Sequence, residues 1–333
     1  MKVLLTSDWH IEEGIYTDIC IDYIDHLIEY CGENKIAHII IAGDIFEKSS
    51  KIKNEAFIPL FFKFMEMKKL GFELYFIIGN HDAMTEDNDS LVETFSPFGK
   101  VVKEYEEVEI AGRKFGMLPY TKDPRDVPPD GDILVTHLSI ADFTFDNKYH
   151  VNEKMGMATD TFENYKIVFS GHFHRPQNQK NIVFMGSPYQ MNFGEIGQEK
   201  GFVVFDTESG EWNREYYTGA PTYLRIKATD FQNTDVSNSF VQVEIEQKLD
   251  NYVQLKHILY EGGALEVSPS FKESSEDITI QDGEETLDLN IKVKDMMREY
   301  ILDNVKVEEI DNDKLLELFE KVVESWWSHQ EEE

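Results

Sequence analysis

The chain has 333 residues, 41% of them hydrophobic and 13% aromatic, which is enough apolar material for a sizeable core and excludes wholesale disorder. Its formal net charge of −32 is the reverse of what a protein that grips nucleic-acid phosphates unaided would carry, so any strong DNA contact is expected to need bound metals or a basic partner. Residues 270–333 hold 20 acidic and 7 basic side chains, a net of −13, so the other 269 residues still carry −19 and the excess is not confined to a tail.

The opening run Met1 to Asp8 lacks the long apolar stretch of a signal peptide and reads as a buried first strand. No apolar run approaches the ~20 residues of a membrane span. Val3-Leu4-Leu5, Ile39-Ile40-Ile41 and residues 74–78 read as buried strands. Between the first two, Ile19, Tyr23, Ile24, Leu27 and Ile28 recur at helical spacing, and a second helix is predicted over residues 54–70. Cys20 and Cys31 lie eleven apart on the first helix, too far along its axis to bridge, and are expected as reduced core thiols of a cytoplasmic protein. The βαβ order implies a largely parallel sheet. From about residue 101 short strands dominate, at 114–118, 133–136, 167–169, 182–184 and 202–205, and are expected to form a second sheet on the first. The fold class is therefore α/β, a layered sandwich over residues 1–217.

The pattern resets near residues 218–221. Strands at 222–227, 241–246 and 265–267, with a helix over 251–260 ended by Gly262-Gly263, make a small α/β module spanning 218–269. Residues 270–289 read as an acidic linker and 290–333 as two amphipathic helices.

Five segments concentrate Asp, Asn and His: Asp8-Trp9-His10, Gly43-Asp44, Gly79-Asn80-His81-Asp82, Thr136-His137 and Gly171-His172-Phe173-His174. Each follows a predicted strand end, where ligands bind in α/β sheets. Taken singly, an Asp here could cap a helix, a glycine could serve a turn, and a histidine could be structural, as is expected of His26, His38, His257 and His329. Together the five supply carboxylate, amide and imidazole donors that suit manganese, iron or zinc, in numbers sufficient for two ions. Two such ions can clamp the attacking and leaving oxygens of a phosphoryl centre.

These ordered motifs (DxH, GD, GNH, H and GHxH) resemble those of the calcineurin-like metallophosphoesterase superfamily. The resemblance implies that Asp8, His10 and His174 hold one metal, that Asn80, His137 and His172 hold the other, and that Asp44 bridges. It makes His81 a non-ligand histidine that stabilises the pentacoordinate phosphorus and protonates the leaving oxygen. Two divalent cations are implied, manganese foremost, with magnesium, iron or zinc as alternatives. Ser7-Asp8-Trp9-His10, Gly43-Asp44-Ile45-Phe46 and Gly186-Ser187-Pro188-Tyr189-Gln190, followed by Phe193-Gly194-Glu195 and Lys200-Gly201-Phe202, are similar to the SbcD-type nucleases, including those of large phages. The likeness is close over 1–206, looser to about 270, and confined beyond that to layout. It implies a DNA exonuclease or endonuclease of repair and recombination, using a hydroxide activated by two metals, in a bacterial or phage-infected host cytoplasm. It further implies a DNA-facing cap at 218–269 and docking of residues 290–327 on an SbcC-like ATPase of the SMC family. Some relatives carry a histidine three residues after the bridging aspartate; Glu47 stands there instead, which removes a second proton-handling histidine.

Two other functions are weighed against the nuclease. Serine/threonine phosphatases share the metal motifs but carry Arg after the GD turn and Glu after GNH, where this chain has Glu47-Lys48 and Asp82. A non-catalytic scaffold would have no use for seven intact ligands and His81. In the cap, Arg225, Lys227, Lys248 and Lys256 are candidate phosphate contacts or plain surface charges. Residues 57–67 are apolar at eight of eleven positions, which calls for burial within the domain or for the homodimer helix bundle the family implies. Leu315, Leu316, Phe319, Val322, Val323, Trp326 and Trp327 stripe the last helix, and Ile291, Val293, Met296, Met297, Ile301 and Leu302 the one before. The two could pack on each other or anchor a partner.

Overall fold

The protein is described from a computed structural model covering residues 1–85, 88–144, 151–152, 155–245 and 252–271. The acidic linker beyond residue 271, the predicted helical pair, Lys248 and His329 lie outside these residues.

Why the first sheet is buried on both faces follows from its uninterrupted apolar strands. Its order is β12-β11-β1-β2-β3-β4, from β1 (Lys2–Thr6), β2 (His38–Ala42), β3 (Glu73–Ile77), β4 (Gly99–Val102), β11 (Gly201–Asp206) and β12 (Trp212–Tyr216). β1 to β4 are parallel, whereas β11 runs antiparallel to β1 and β12 antiparallel to β11. Strand alternation divides the side chains between two layers. Leu4, Ile39, Ile41 and Phe76 face α1 (Ile15–Asn34) and α2 (Asn54–Lys69), packing with Tyr23, Leu27, Leu60 and Phe64. Val3, Leu5, Ile40 and Ile77 face the second sheet and pack with Phe115, Met117, Val135 and Phe169.

The second sheet has the order β5-β6-β7-β8-β10-β9, from β5 (Glu106–Ile110), β6 (Arg113–Leu118), β7 (Gly131–His137), β8 (Tyr165–Gly171), β9 (Gln177–Gln179) and β10 (Ile182–Phe184). The expected layered sandwich is therefore present, with one difference. Residues 202–205 do not join the second sheet but extend the first, because their chain returns beside β1 with Val3 opposite Phe205 and Leu5 opposite Val203. Cys20 and Cys31 are free and buried on α1. No helix among the described residues is long and apolar enough to cross a membrane.

The third sheet is β13 (Thr222–Lys227), β14 (Ser239–Ile245) and β15 (Ala264–Phe271), all parallel, with α3 (Tyr252–Glu261) between the last two. β15 runs two residues past the predicted end of the module. Tyr16 at the start of α1 stacks on Phe240 of β14, with ring centroids 5.8 Å apart and nearly parallel, and Tyr223 packs on both Phe193 and Phe240.

Candidate metal centre

Each of the five polar segments sits at the carboxyl end of a parallel strand: after β1, β2 and β3 in one sheet, at the end of β7 and after β8 in the other. Because the two sheets face each other, these ends meet. The structure brings all eight predicted site residues together. His10, Asp44, Asn80, His81, His172 and His174 line a cavity of about 450 Å3, and Asp8 and His137 are fully buried beside it. Three overlapping groups offer ligand atoms within 4.8 Å of one another: Asp8, His10 and His174; His10, Asp44 and His81; Asp44, His137 and His172. By contrast His26 and His38 lie in partly buried aromatic contacts, and His257 is exposed near Glu261.

The backbone is held in an unusual form to achieve this. Asp8, His10, Asp44 and His172 have φ of 56°, 45°, 52° and 86°, in the left-handed region that non-glycine residues enter at a cost on the order of 1–3 kcal/mol each. Hydrogen bonds between the two loops oppose that cost: Asp8 N donates to Gly43 O at 3.0 Å, His10 N to Asp44 O at 3.0 Å and Ile11 N to Ile45 O at 2.8 Å. Asp82, fully buried, accepts from Phe46 N at 3.0 Å and Gly79 N at 3.1 Å and so ties the third loop to the second. The glycines do more than turn the chain. A methyl group on Gly43 would fall on the His137 ring, and one on Gly79 on the Asp44 carboxylate.

The carboxylates and imidazoles are each aimed by a second group. Ser7 Oγ donates to Asp8 Oδ2 at 2.6 Å and His172 N to Asp8 Oδ1 at 2.9 Å, while His81 N donates to Asp44 Oδ1 at 2.9 Å. His137 Nδ1 donates to Ala42 O at 2.8 Å, and His81 Nδ1 to Glu47 O at 2.7 Å. Burial disfavours a charged Asp44, but His137, His10 and His81 around it outweigh that and hold its carboxyl below the usual range. Burial likewise opposes protonation of His137, yet Asp44 beside it raises the imidazole to about 9. His172, buried and next to that imidazole, is lowered to about 4. Negative charge gathered at this depth favours a cation beside it.

The donor set fits divalent metals. His10 Nδ1 lies 2.7 Å from Glu47 Oε2 and His174 Nδ1 lies 3.0 Å from Glu195 Oε1, so both rings are committed as donors on that side. Their Nε2 atoms then bring two lone pairs within 3.1 Å of each other. Two facing lone pairs at this separation call for a cation between them, either a shared proton or a metal ion. The second cradle repeats the logic: Asn80 Oδ1 stands 3.1 Å from His137 Nε2 and 2.8 Å from His172 Nδ1, with Asp44 Oδ2 3.0 Å from the same His137 nitrogen.

Four residues that hydrogen-bond to the predicted ligands escape motif reasoning. Ser7 stands inside a motif without a role there. Glu195 and Lys200 belong to a run marked by resemblance alone, and Glu47 enters the sequence only as a departure. Ser7 acts on its neighbour Asp8, whereas Glu47, Glu195 and Lys200 meet His10 and His174 from positions 37, 21 and 26 residues away, so no spacing in the sequence signals those contacts.

Facing sheets that gather carboxylate, amide and imidazole donors at their strand ends define a metal-dependent phosphoesterase, a hydrolase. The family model of calcineurin-like phosphoesterases matches residues 1–176, more than half of the chain, and the chain belongs to that family. It is similar to exonuclease subunit 1 of Enterobacteria phage T4, at 26% identity across 76% of this chain and 80% of that one. It is also similar to the SbcD component of the nuclease SbcCD of Staphylococcus epidermidis, at 21% identity across 77% and 78%. The corresponding SbcD protein of Escherichia coli K12 matches at 30% over 95 residues, 27% of this chain and 23% of that one.

Proposed function

We propose that the chain is a metal-dependent DNA nuclease, the nuclease subunit of an SbcCD-like complex. The observation that carries this reading is the joining of the two cradles by one carboxylate oxygen: Asp44 Oδ2 lies 3.5 Å from His10 Nε2 and 3.0 Å from His137 Nε2. In this reading Asp8, His10 and His174 hold one ion, Asn80, His137 and His172 the other, and Asp44 touches both. Manganese suits the mixed oxygen and imidazole set, as iron or zinc would. When bound, two such ions supply positive charge at the phosphoryl oxygens and activate water for attack.

The chain's own part is to hold that geometry and to manage the leaving group. With Nδ1 tied to the Glu47 carbonyl, His81 is left its other nitrogen to carry a proton and give it to the departing alkoxide. Charge at the cavity favours a diester over a monoester. Among the described residues that line it none is Lys or Arg, while Glu12 and Glu47 both stand at it. A phosphomonoester dianion would meet more repulsion there than the single charge of a DNA phosphate. The names of the relatives, an exonuclease and a nuclease, support the same choice. With manganese, the chain should cleave bis-nitrophenyl phosphate and linear DNA in preference to nitrophenyl phosphate and a phosphopeptide. Preference for the phosphopeptide would make it a phosphatase, and no turnover of any of the four would leave the scaffold.

The module of residues 218–269 is proposed to face DNA, with Arg225 and Lys227 exposed on β13. Residues 290–327 are proposed to dock on the SbcC-like ATPase. Deleting them should spare cleavage of bis-nitrophenyl phosphate, since every proposed ligand lies between residues 8 and 174, and should abolish ATP-stimulated degradation of duplex DNA. Retained ATPase binding in a pull-down, with a lowered melting temperature, would mean that the helices pack on their own domain instead.

Helix α2 supports the homodimer. Its buried side is Ala56, Leu60, Phe64 and Met67, yet Ile58 and Phe62, one turn apart, are 48% and 55% exposed. F62E should leave the fold and the small-substrate activity intact and shift the sedimenting species from dimer to monomer. An unchanged sedimentation coefficient would remove this face from the interface.

A further inference from the structure

The geometry points to Glu195 and Glu47 as positioning residues that fix the tautomers of His174 and His10, so that both imidazoles present Nε2 to a single metal. The inference rests on the two-metal reading and goes beyond it by assigning work to two carboxylates that are not ligands.

Glu195 and Lys200 are each only 4% exposed, and a charge pair at that depth needs a reason and full satisfaction. Both conditions are met. Lys200 Nζ approaches Glu195 Oε2 at 2.8 Å and donates to Ser187 Oγ at 3.0 Å and to the carbonyl of His174 at 2.6 Å. Glu195 Oε2 also accepts from Met191 N at 3.1 Å, and Oε1 accepts from Asn192 Nδ2 at 3.3 Å as well as from His174 Nδ1 at 3.0 Å. The result is a closed circuit: Lys200 holds the backbone of His174 directly and its ring through Glu195. The ring cannot rotate or change tautomer without losing its hydrogen bond to a carboxylate that the buried ion pair holds in place.

Glu47 serves the facing ring from a shallower place, with its side chain 37% exposed. Its Oε2 lies 2.7 Å from His10 Nδ1, and its position is set by the loop pairing that sends Glu47 N to Ile11 O at 3.2 Å. The same residue's carbonyl takes His81 Nδ1, so one residue orients both a proposed ligand and the proposed acid. The departure from the histidine of some relatives therefore has a use: a carboxylate at position 47 holds a proton donor, where an imidazole would compete for the proton.

The two cradles differ as a result. Carboxylates back both imidazoles of the Asp8, His10 and His174 position, whereas His137 is backed by the Ala42 carbonyl. A carboxylate partner raises the basicity of its imidazole toward a metal, and removing such a partner typically costs about 10–100-fold in metal affinity. That loss should fall on one position only.

The test uses the full-length chain with manganese as the probe, in E47A, E47Q, E195Q and the double variant E195Q/K200M, which removes both buried charges in case E195Q alone does not fold. Long-range nitrogen–proton NMR of the metal-free wild type should show His10 and His174 as Nδ1–H tautomers. E47A should turn His10 into a mixture, while E47Q, which keeps an acceptor, should restore it. Calorimetric titration should show one of two manganese sites weakened about 10–100-fold in E47A and in E195Q or the double variant, with the other site within twofold of wild type. Nε2–H tautomers in the wild type, or two unweakened sites in all variants, would overturn the assignment. Fewer than two sites in the wild type would instead refute the two-metal reading, and the tautomers of the metal-free chain would still decide the role of the carboxylates.

Discussion

Replacing His81 by alanine is expected to lower phosphodiester hydrolysis by on the order of 10²–10⁴-fold while two equivalents of manganese stay bound. The separation of the two effects follows from where the ring is held. His81 Nδ1 spends its proton on the Glu47 carbonyl and its backbone N–H on Asp44 Oδ1, so the residue enters the cluster as a donor on both counts. The backbone bond survives in alanine, so Asp44 keeps that support. The ring stands close to His10, with centroids 4.7 Å apart, and its loss removes a proton source next to the metal cradles without removing an assigned ligand. Metal analysis beside a kinetic assay reads both halves. Loss of one metal equivalent would make His81 a ligand, which its place in a group with His10 and Asp44 makes a fair challenge.

Asp44→Asn should have the larger effect: loss of activity together with loss of both metals. The substitution is nearly isosteric, which matters because the Asp44 carboxylate packs directly against Gly79, where even an added methyl group would strike it. It removes the one negative charge that faces both cradles, with Oδ2 near His10 on one side and His137 on the other. It also removes the largest of the charges that raise His137 to about 9, so the cluster's pull on a cation falls. Metal analysis of the folded variant should return less than one equivalent. Retention of one full equivalent would show that Asp44 belongs to a single metal.

How much of this was legible in the sequence depends on what kind of residue is asked about. The central strands were, because burial on both faces leaves an uninterrupted apolar run such as Ile39-Ile40-Ile41. The four strands that escape prediction, β4, β5, β9 and β12, are the edges of the two large sheets. An edge strand is half solvated and guards its open side with polar residues, as in Glu106–Ile110 with its alternating exposure, so no apolar run marks it. Sheet membership of residues 202–205 is hidden for another reason. Their pattern specifies a buried strand, and only the returning chain decides which sheet it joins. The eight proposed site residues stood out because their motifs fall at strand ends in a fixed order, and the structure gathers them at one place. Glu47, Glu195 and Lys200 act through partners on other loops, and only the fold reveals those contacts. The apolar helix at 57–67 sits between two readings: Leu60, Phe64 and Met67 are buried within the domain and Phe57, Phe61 and Met65 pack against its core, while Ile58 and Phe62 stay exposed.

Anomalous diffraction from crystals grown with manganese tests the two-metal account most directly. Two peaks are expected roughly 3.5–4 Å apart, one beside Asp8, His10 and His174, the other beside Asn80, His137 and His172, with Asp44 between them and His81 bound to neither. A single peak, or a peak ligated by His81, would contradict it.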